Sequence, residues 1–148
     1  FVLVVFGSFG RIWASLYIEG NKTKNLITAG PFSMVRNPLY FFSLIMLLGF
    51  SLALKAIYLP LALLLIFVLF HVPTIANEER KLRKNHGDKF ESYMKSTPRL
   101  IPNIFKYKRP ETGEKVLVKI SRINGVLIEV IGYLFLYTLI DIIYFILD

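Results

Sequence analysis

The chain has no cysteine among its 148 residues. That absence excludes disulfides, thiolate metal sites, iron–sulfur clusters and cysteine nucleophiles, and it leaves the compartment open. No Gly-x-Ser-x-Gly, P-loop or dinucleotide fingerprint occurs, so hydrolase, kinase and Rossmann readings have no support. Histidine is scarce: His71 and His86 stand fifteen residues apart with no carboxylate at ligand spacing. A metal site is therefore not expected, and His71, inside an apolar run, reads as a helix-packing residue. Acidic residues are also few, ten Asp and Glu against eighteen Lys and Arg, for a net charge of +8.

Apolar residues dominate what remains. A hydrophobic content of 55% is too high for an ordinary soluble domain of this length. Since about 20 mostly apolar residues cross a hydrocarbon core of about 30 Å, four runs qualify as spanning helices: Phe1–Ile18, Leu39–Leu59, Pro60–Ala76 and Ile123–Leu147. The expected fold is all-α, a single polytopic membrane domain over residues 1–148. The first run has no basic leader or clean cleavage site and carries Arg11, so it is expected to be a mature helix.

The excess charge is uneven. Asn77–Arg122 holds thirteen Lys or Arg against six Asp or Glu, a surplus of seven. A loop tied at both ends to spanning helices owes such a bias to the positive-inside rule and to anionic headgroups, not to nucleic acid. This loop is therefore placed in the cytosol, the Glu19–Asn37 loop joins it there, and the tight Lys55–Pro60 turn falls outside. Leu39–Leu59 and Pro60–Ala76 then form a helical hairpin that returns Tyr40 and Glu78 to similar depth. Pro60 suits the first turn of the returning helix. Pro73 is expected to kink or end that helix, and Pro31 and Pro38 bias Gly30 and Asn37 away from helical geometry. Glu78–Asn85 reads as a charged helical continuation stopped at His86–Gly87, and Lys89–Lys95 as a short amphipathic helix. Thr97–Pro102 is expected to be extended, and Phe105–Arg122 a basic loop near the headgroups.

Chemistry has to come from polar residues set against these runs, and they cluster in Leu26–Tyr40 and Asn77–Pro102. Glu78 and Glu79 are adjacent, so on a helix they point about 100° apart and cannot share a proton as a dyad would. One can face a cavity while the other meets an arginine or water; a solvated helix start is the plain alternative. Arg36 beside Tyr40 is more apparatus than a turn requires. Arg11 and Glu129 lie in apolar runs within reach of the cytosolic interface, which favours snorkelling for both.

The ordered set resembles the membrane methyltransferases of the isoprenylcysteine carboxyl methyltransferase and phospholipid methyltransferase superfamily. The first block stands as Leu26-Ile27-Thr28-Ala29-Gly30-Pro31-Phe32 and Arg36-Asn37-Pro38-Leu39-Tyr40. The second is carried by Glu78-Glu79, Leu82, Gly87, Phe90 and Tyr93, with Arg11-x-Trp13-Ala14 before them and Pro98 to Pro102 after. The resemblance covers Arg11 to about Pro102. It implies S-adenosylmethionine in a cytosol-facing pocket, held by Lys24, Asn25, Leu26, Ile27, Gly30, Phe32, Asn37, Pro38, Leu39, Tyr40, Glu78 and Glu79. Arg36, Asn37 and Tyr40 would stand at the reacting centre, and the acceptor would arrive from the bilayer. The cofactor's positive charge suits an aromatic face such as Phe32 or Tyr40 and a carboxylate such as Glu79. Alanine at Glu79 or Tyr40 is accordingly expected to weaken cofactor binding without unfolding the protein.

Three positions depart from the family pattern. Asn37 replaces a histidine, Phe32 replaces the commoner tyrosine, and Pro73–Asn77 lacks the arginine that holds a carboxylate acceptor in prenylcysteine-methylating members. Arg11, Arg36 or Arg99 would have to stand in for it, so the acceptor stays open among prenylated, phospholipid-like, thiol and other apolar molecules. Two other readings share the helical layout: an NADPH-dependent sterol-type membrane reductase, disfavoured by the paired glutamates, and a non-catalytic membrane scaffold.

Overall fold

A computed structural model describes residues 1–19, 26–54, 58–110 and 120–147. They form α1 (Val2–Glu19), α2 (Pro31–Met34), α3 (Pro38–Ala53), α4 (Leu59–His86), α5 (Asp88–Ser96), a 3-10 turn at Ile104–Lys106, and α6 (Ile120–Leu147). The architecture is all-helical. The pairing outside helices that resembles a sheet is a single bridge between Gly30 and Lys108 among the described residues.

Helix α1 lies against α3 and α6, α3 also packs on α4, and α5 folds back onto α4. The α1–α3 contact is backbone-close because glycines face it. A Cβ on Gly10 would sit 2.1–2.5 Å from the ring of Phe42, which is itself 6% exposed and has nowhere to go. One on Gly7 would meet the Phe42 carbonyl oxygen at 2.8 Å. Such small residues let apolar helices approach where the hydrophobic effect gives little drive. Gly10→Ala is expected to destabilise the fold by about 2 kcal/mol through overpacking, read as a lower unfolding midpoint in mild detergent.

Among the described residues, α4 is the one helix long and apolar enough to cross a membrane, while Val2–Ile18 and Pro38–Ala53 are shorter apolar helices. The expected span to Ala76 and the expected charged continuation Glu78–Asn85 form one helix, stopped at Gly87 as the sequence predicts. The helix runs unbroken through Pro73 to His86, so proline neither ends it nor separates the apolar from the charged part. Helical backbone bonds are indifferent to the change of composition at Asn77. The Thr74 hydroxyl donates to the carbonyl of Phe70 at 2.8 Å, and His71 Nδ1 lies 3.2 Å from that of Phe67, so side chains tend the carbonyls around the proline. Helix α3 is shorter than its apolar run, ending at Ala53 instead of Leu59, and α6 begins at Ile120 instead of Ile123. The Lys55–Ile57 part of the expected turn lies outside the described residues, as does residues 111–119 of the basic loop.

Gly87 does stop α4. Its φ of 49° is a left-handed value that favours glycine, and the same residue precedes the first turn of α5. The chain thereby turns back so that Phe90 and Tyr93 are both buried and Tyr93 reaches Phe32.

Candidate functional site

The two patterned segments, far apart in sequence, are laced together. Gly30 N–H donates to the Lys108 carbonyl at 2.8 Å, Arg36 N–H to that of Pro98 at 2.9 Å, and Asn103 N–H to that of Met34 at 2.9 Å. Ser33 Oγ adds a bond to the Gly30 carbonyl and accepts one from Lys108 N–H. Pro31 opens the short α2, and Pro38 opens α3. Gly30, at φ 60°, sits where a Cβ would strike the Tyr17 ring at 2.3 Å. From α5, the Tyr93 hydroxyl donates to the Phe32 carbonyl at 2.7 Å. Burial pushes the Tyr93 phenol well above its ordinary value, Arg36 opposing and Glu79 adding, so it remains a donor.

This scaffold encloses a cavity of about 360 Å³, within the roughly 300–1,000 Å³ typical of small-molecule sites. Leu26, Ile27, Phe32, Pro38 and Leu39 supply apolar wall. Arg36, Asn37, Tyr40 and Glu78 supply polar groups, and these nine residues are ones the sequence motifs single out. Gly30 is brought close but serves the turn, and Lys24 and Asn25 lie outside the described residues.

Ile18, Lys81, Leu82, Asn85 and Tyr93 complete the lining. Leu82 and Tyr93 belong to the second motif by spacing alone. Lys81 and Asn85 were missed, though they follow Glu78 by three and seven residues on an unbroken helix and so share its face.

The adjacent glutamates take opposite parts. Glu78 is exposed to the cavity, where the Tyr40 hydroxyl donates to its Oε1 at 3.2 Å. Glu79, 13% exposed at its side chain, turns about 100° away. Its Oε1 accepts from Asn37 Nδ2 at 3.1 Å and lies 3.5 Å from Arg36 Nε; its Oε2 lies 3.1 Å from Arg99 Nε. Asn37 Nδ2 also donates to the Arg99 carbonyl at 3.0 Å. Glu79 thus fixes the cavity wall from behind by holding Asn37 and Arg36.

Two of the three arginines considered for an acceptor lie outside the cavity lining and are engaged elsewhere. Arg99 pairs with Glu79. Arg11 Nη2 lies 2.8 and 2.9 Å from the two carboxylate oxygens of Glu129, and Arg11 Nη1 donates to Ser43 Oγ. Tyr133 adds a 3.3 Å bond to the same carboxylate. Arg11 and Glu129 therefore satisfy each other across α1 and α6 and do not reach separately for an interface. His71 packs as expected, stacked on Phe67 at 4.3 Å with Tyr40 edge-on at 5.5 Å.

The profile of a family described as phospholipid methyltransferase matches residues 2–89. The chain belongs to the phospholipid methyltransferase family. The match takes in α1, the cavity wall from Leu26 to Tyr40 and the Glu78–Glu79 pair; Tyr93 and Arg99 lie beyond it. Among curated proteins, the chain is 33% identical over 109 residues to the nickel-cobalt-cadmium resistance protein NccN of Alcaligenes xylosoxydans xylosoxydans, covering 74% of this chain and 51% of that protein. It is likewise 33% identical over 109 residues to the cobalt-zinc-cadmium resistance protein CzcN of Cupriavidus metallidurans, covering 74% of this chain and 50% of that one. The chain thus spans about half the length of these relatives. No solved structure matches it.

Proposed function

We propose that this chain is an integral membrane methyltransferase that uses S-adenosylmethionine to methylate an apolar, membrane-resident acceptor: a lipid, a thiol or an isoprenylcysteine-like carboxylate. The observation that carries this reading is the cavity itself, apolar along Leu26, Phe32 and Leu39 and ended by Tyr40, Glu78, Lys81 and Asn85. In the proposed arrangement α1, α3, α4 and α6 span the bilayer, and the cavity opens to the cytosol beside the basic loop.

The donor set fits that cofactor. The apolar wall and the Phe32 ring suit a purine, the Glu78 carboxylate suits ribose hydroxyls or an ammonium, and Lys81 or Arg36 suits the amino-acid carboxylate. When bound, the cofactor supplies a methyl group already activated as a sulfonium; one carbon–sulfur bond breaks, one bond to the acceptor forms, and a neutral thioether is left. The chain's own residues are left to align and exclude water. Phe32, Leu39 and Leu82 keep the centre dry. Asn37, clamped between Glu79 and the Arg99 carbonyl, presents a fixed wall. Tyr40 holds the Glu78 carboxylate in place.

Arg11 is paired to Glu129, and Arg36 and Arg99 share Glu79; of the three candidates Arg36 is the one that lines the cavity, where it can meet an anionic acceptor group. The names of the two metal-resistance relatives suggest the setting of the activity. Among the described residues no group of three His, Asp or Glu side chains could hold a metal ion, and the proposed contribution is the methylated product.

The test is incorporation of radiolabelled methyl from S-adenosylmethionine into organic-extractable material by membranes carrying the protein. Incorporation above empty membranes is expected, falling at least about tenfold in Glu78→Gln and Tyr40→Ala, in line with losing a charge-assisted contact of about 1.5–3 kcal/mol. Equal incorporation in wild type and both variants would remove the cavity from the reaction.

A further inference from the structure

Behind Glu79, on the side away from the cavity, lies a second concavity of about 300 Å³ lined by Arg36, Arg80, Arg83 and Arg99 over Ala76 and Met94. Four guanidinium groups converge there against two carboxylates. Glu79 is shared by Arg36 and Arg99, and Glu91 lies 2.7 Å from Arg83 Nε. The groove therefore keeps a surplus of two positive charges. Arg80 is exposed and has no ion-pair or hydrogen-bond partner among the described residues. The Nε–H groups of Arg36 and Arg99 are buried and lie 3.5 and 3.1 Å from Glu79 oxygens without the alignment of a hydrogen bond. Packing like charges this closely is unfavourable unless an anion completes the set.

The helix supplies a second clue. Leu65, Leu69, Val72, Ala76, Arg80 and Arg83 follow one another on α4 at spacings of three and four, so they form one stripe along its surface. Its first three members are apolar and exposed, at 59%, 60% and 37%. The stripe changes from apolar to guanidinium between Val72 and Arg80, eight residues or about 12 Å along the axis. Apolar below and multiply cationic above is the pattern that matches a phospholipid, acyl chain along the helix and phosphate among arginines.

The geometry points to a binding site for the phosphate of an anionic phospholipid in this arginine groove, separate from the methyl-transfer cavity. It rests on the membrane placement of α4 and not on which cofactor the cavity takes. Arg36 lines both concavities, and Glu79 ties it to Asn37, so a lipid phosphate that draws on Arg36 and Arg99 bears directly on the cavity wall. The site thereby couples the enzyme to the charge of its own membrane.

Native mass spectrometry of the full chain in mild detergent tests this, with short-chain phosphatidylglycerol as probe and phosphatidylcholine and inorganic phosphate as comparisons. Arg80→Gln combined with Arg83→Gln alters exposed side chains, the solvent-screened Arg83–Glu91 pair among their contacts, and should move the unfolding midpoint little. Retention of phosphatidylglycerol over phosphatidylcholine is expected in the wild type, with a loss of about tenfold or more in the double variant, since each interfacial cation contributes of order 1 kcal/mol. Undiminished retention in the double variant would overturn the site. Displacement of the lipid by equimolar inorganic phosphate would overturn the lipid assignment in favour of a soluble oxyanion. Binding of S-adenosylhomocysteine, followed in the same samples, separates failure of this site from failure of the cavity.

Discussion

Glu79→Gln is expected to lower the unfolding free energy by about 3 kcal/mol, because breaking a buried ion pair leaves its partners uncompensated. Here the carboxylate is 13% exposed and faces Arg36 and Arg99 at 3.5 and 3.1 Å, with Asn37 donating to it. A neutral amide keeps the shape and removes the charge that holds two guanidinium groups together. Glu78→Gln makes the opposite pattern: Glu78 is exposed, its protein partner in the described structure is the Tyr40 hydroxyl, and its replacement should hardly move the unfolding midpoint while weakening cofactor binding. Unfolding in mild detergent beside a titration with S-adenosylhomocysteine reads both properties. This reassigns the carboxylate that sequence reasoning favoured for the cofactor. Equal stability of the two variants would show that the arginines do not depend on Glu79.

Glu129→Leu is expected to cost a similar amount, about 3 kcal/mol, by leaving Arg11 unpaired at membrane depth. Arg11 is 19% exposed and Glu129 38% exposed, and in the proposed arrangement what surrounds them outside the protein is acyl chain and not water. The pair joins α1 to α6, with Ser43 of α3 completing the contact. Adding Arg11→Met to Glu129→Leu should recover most of the loss, since two apolar side chains need no partner. A double variant as unstable as the single one would mean that the deficit comes from packing of α6 and not from a stranded charge. Methyl incorporation by the double variant should stay close to wild type, because neither residue lines the cavity.

Local chemistry made much of the site legible. Pro31, Pro38, Gly30 and Gly87 fix backbone directions through their own geometry, so the loop before α3 and the stop after α4 were readable one residue at a time. The apolar runs showed where helices lie but not where they end. Helix α3 ends at Ala53, short of Leu59, whereas the continuation of α4 past Ala76 to the stop at Gly87 was readable, since its charged part makes the same backbone bonds as its apolar part. The divergence of Glu78 and Glu79 followed from helical geometry, yet which of them meets the cavity depends on Arg99, twenty residues onward and placed by the turn at Gly87. The Arg11–Glu129 pair, 118 residues apart, was beyond any local reading: each residue alone looked able to reach an interface, and only the packing of α6 against α1 brings them together.

The cavity between Leu26–Tyr40 and the Glu78 face of α4 is proposed to receive S-adenosylmethionine. Calorimetric titration of purified protein in detergent with S-adenosylhomocysteine and, in parallel, with NADPH tests it most directly. Saturable binding of S-adenosylhomocysteine, with none of NADPH, is the predicted result. Binding of NADPH alone would contradict the account in favour of a reductase, and binding of neither by folded protein would contradict it in favour of a scaffold without a cofactor.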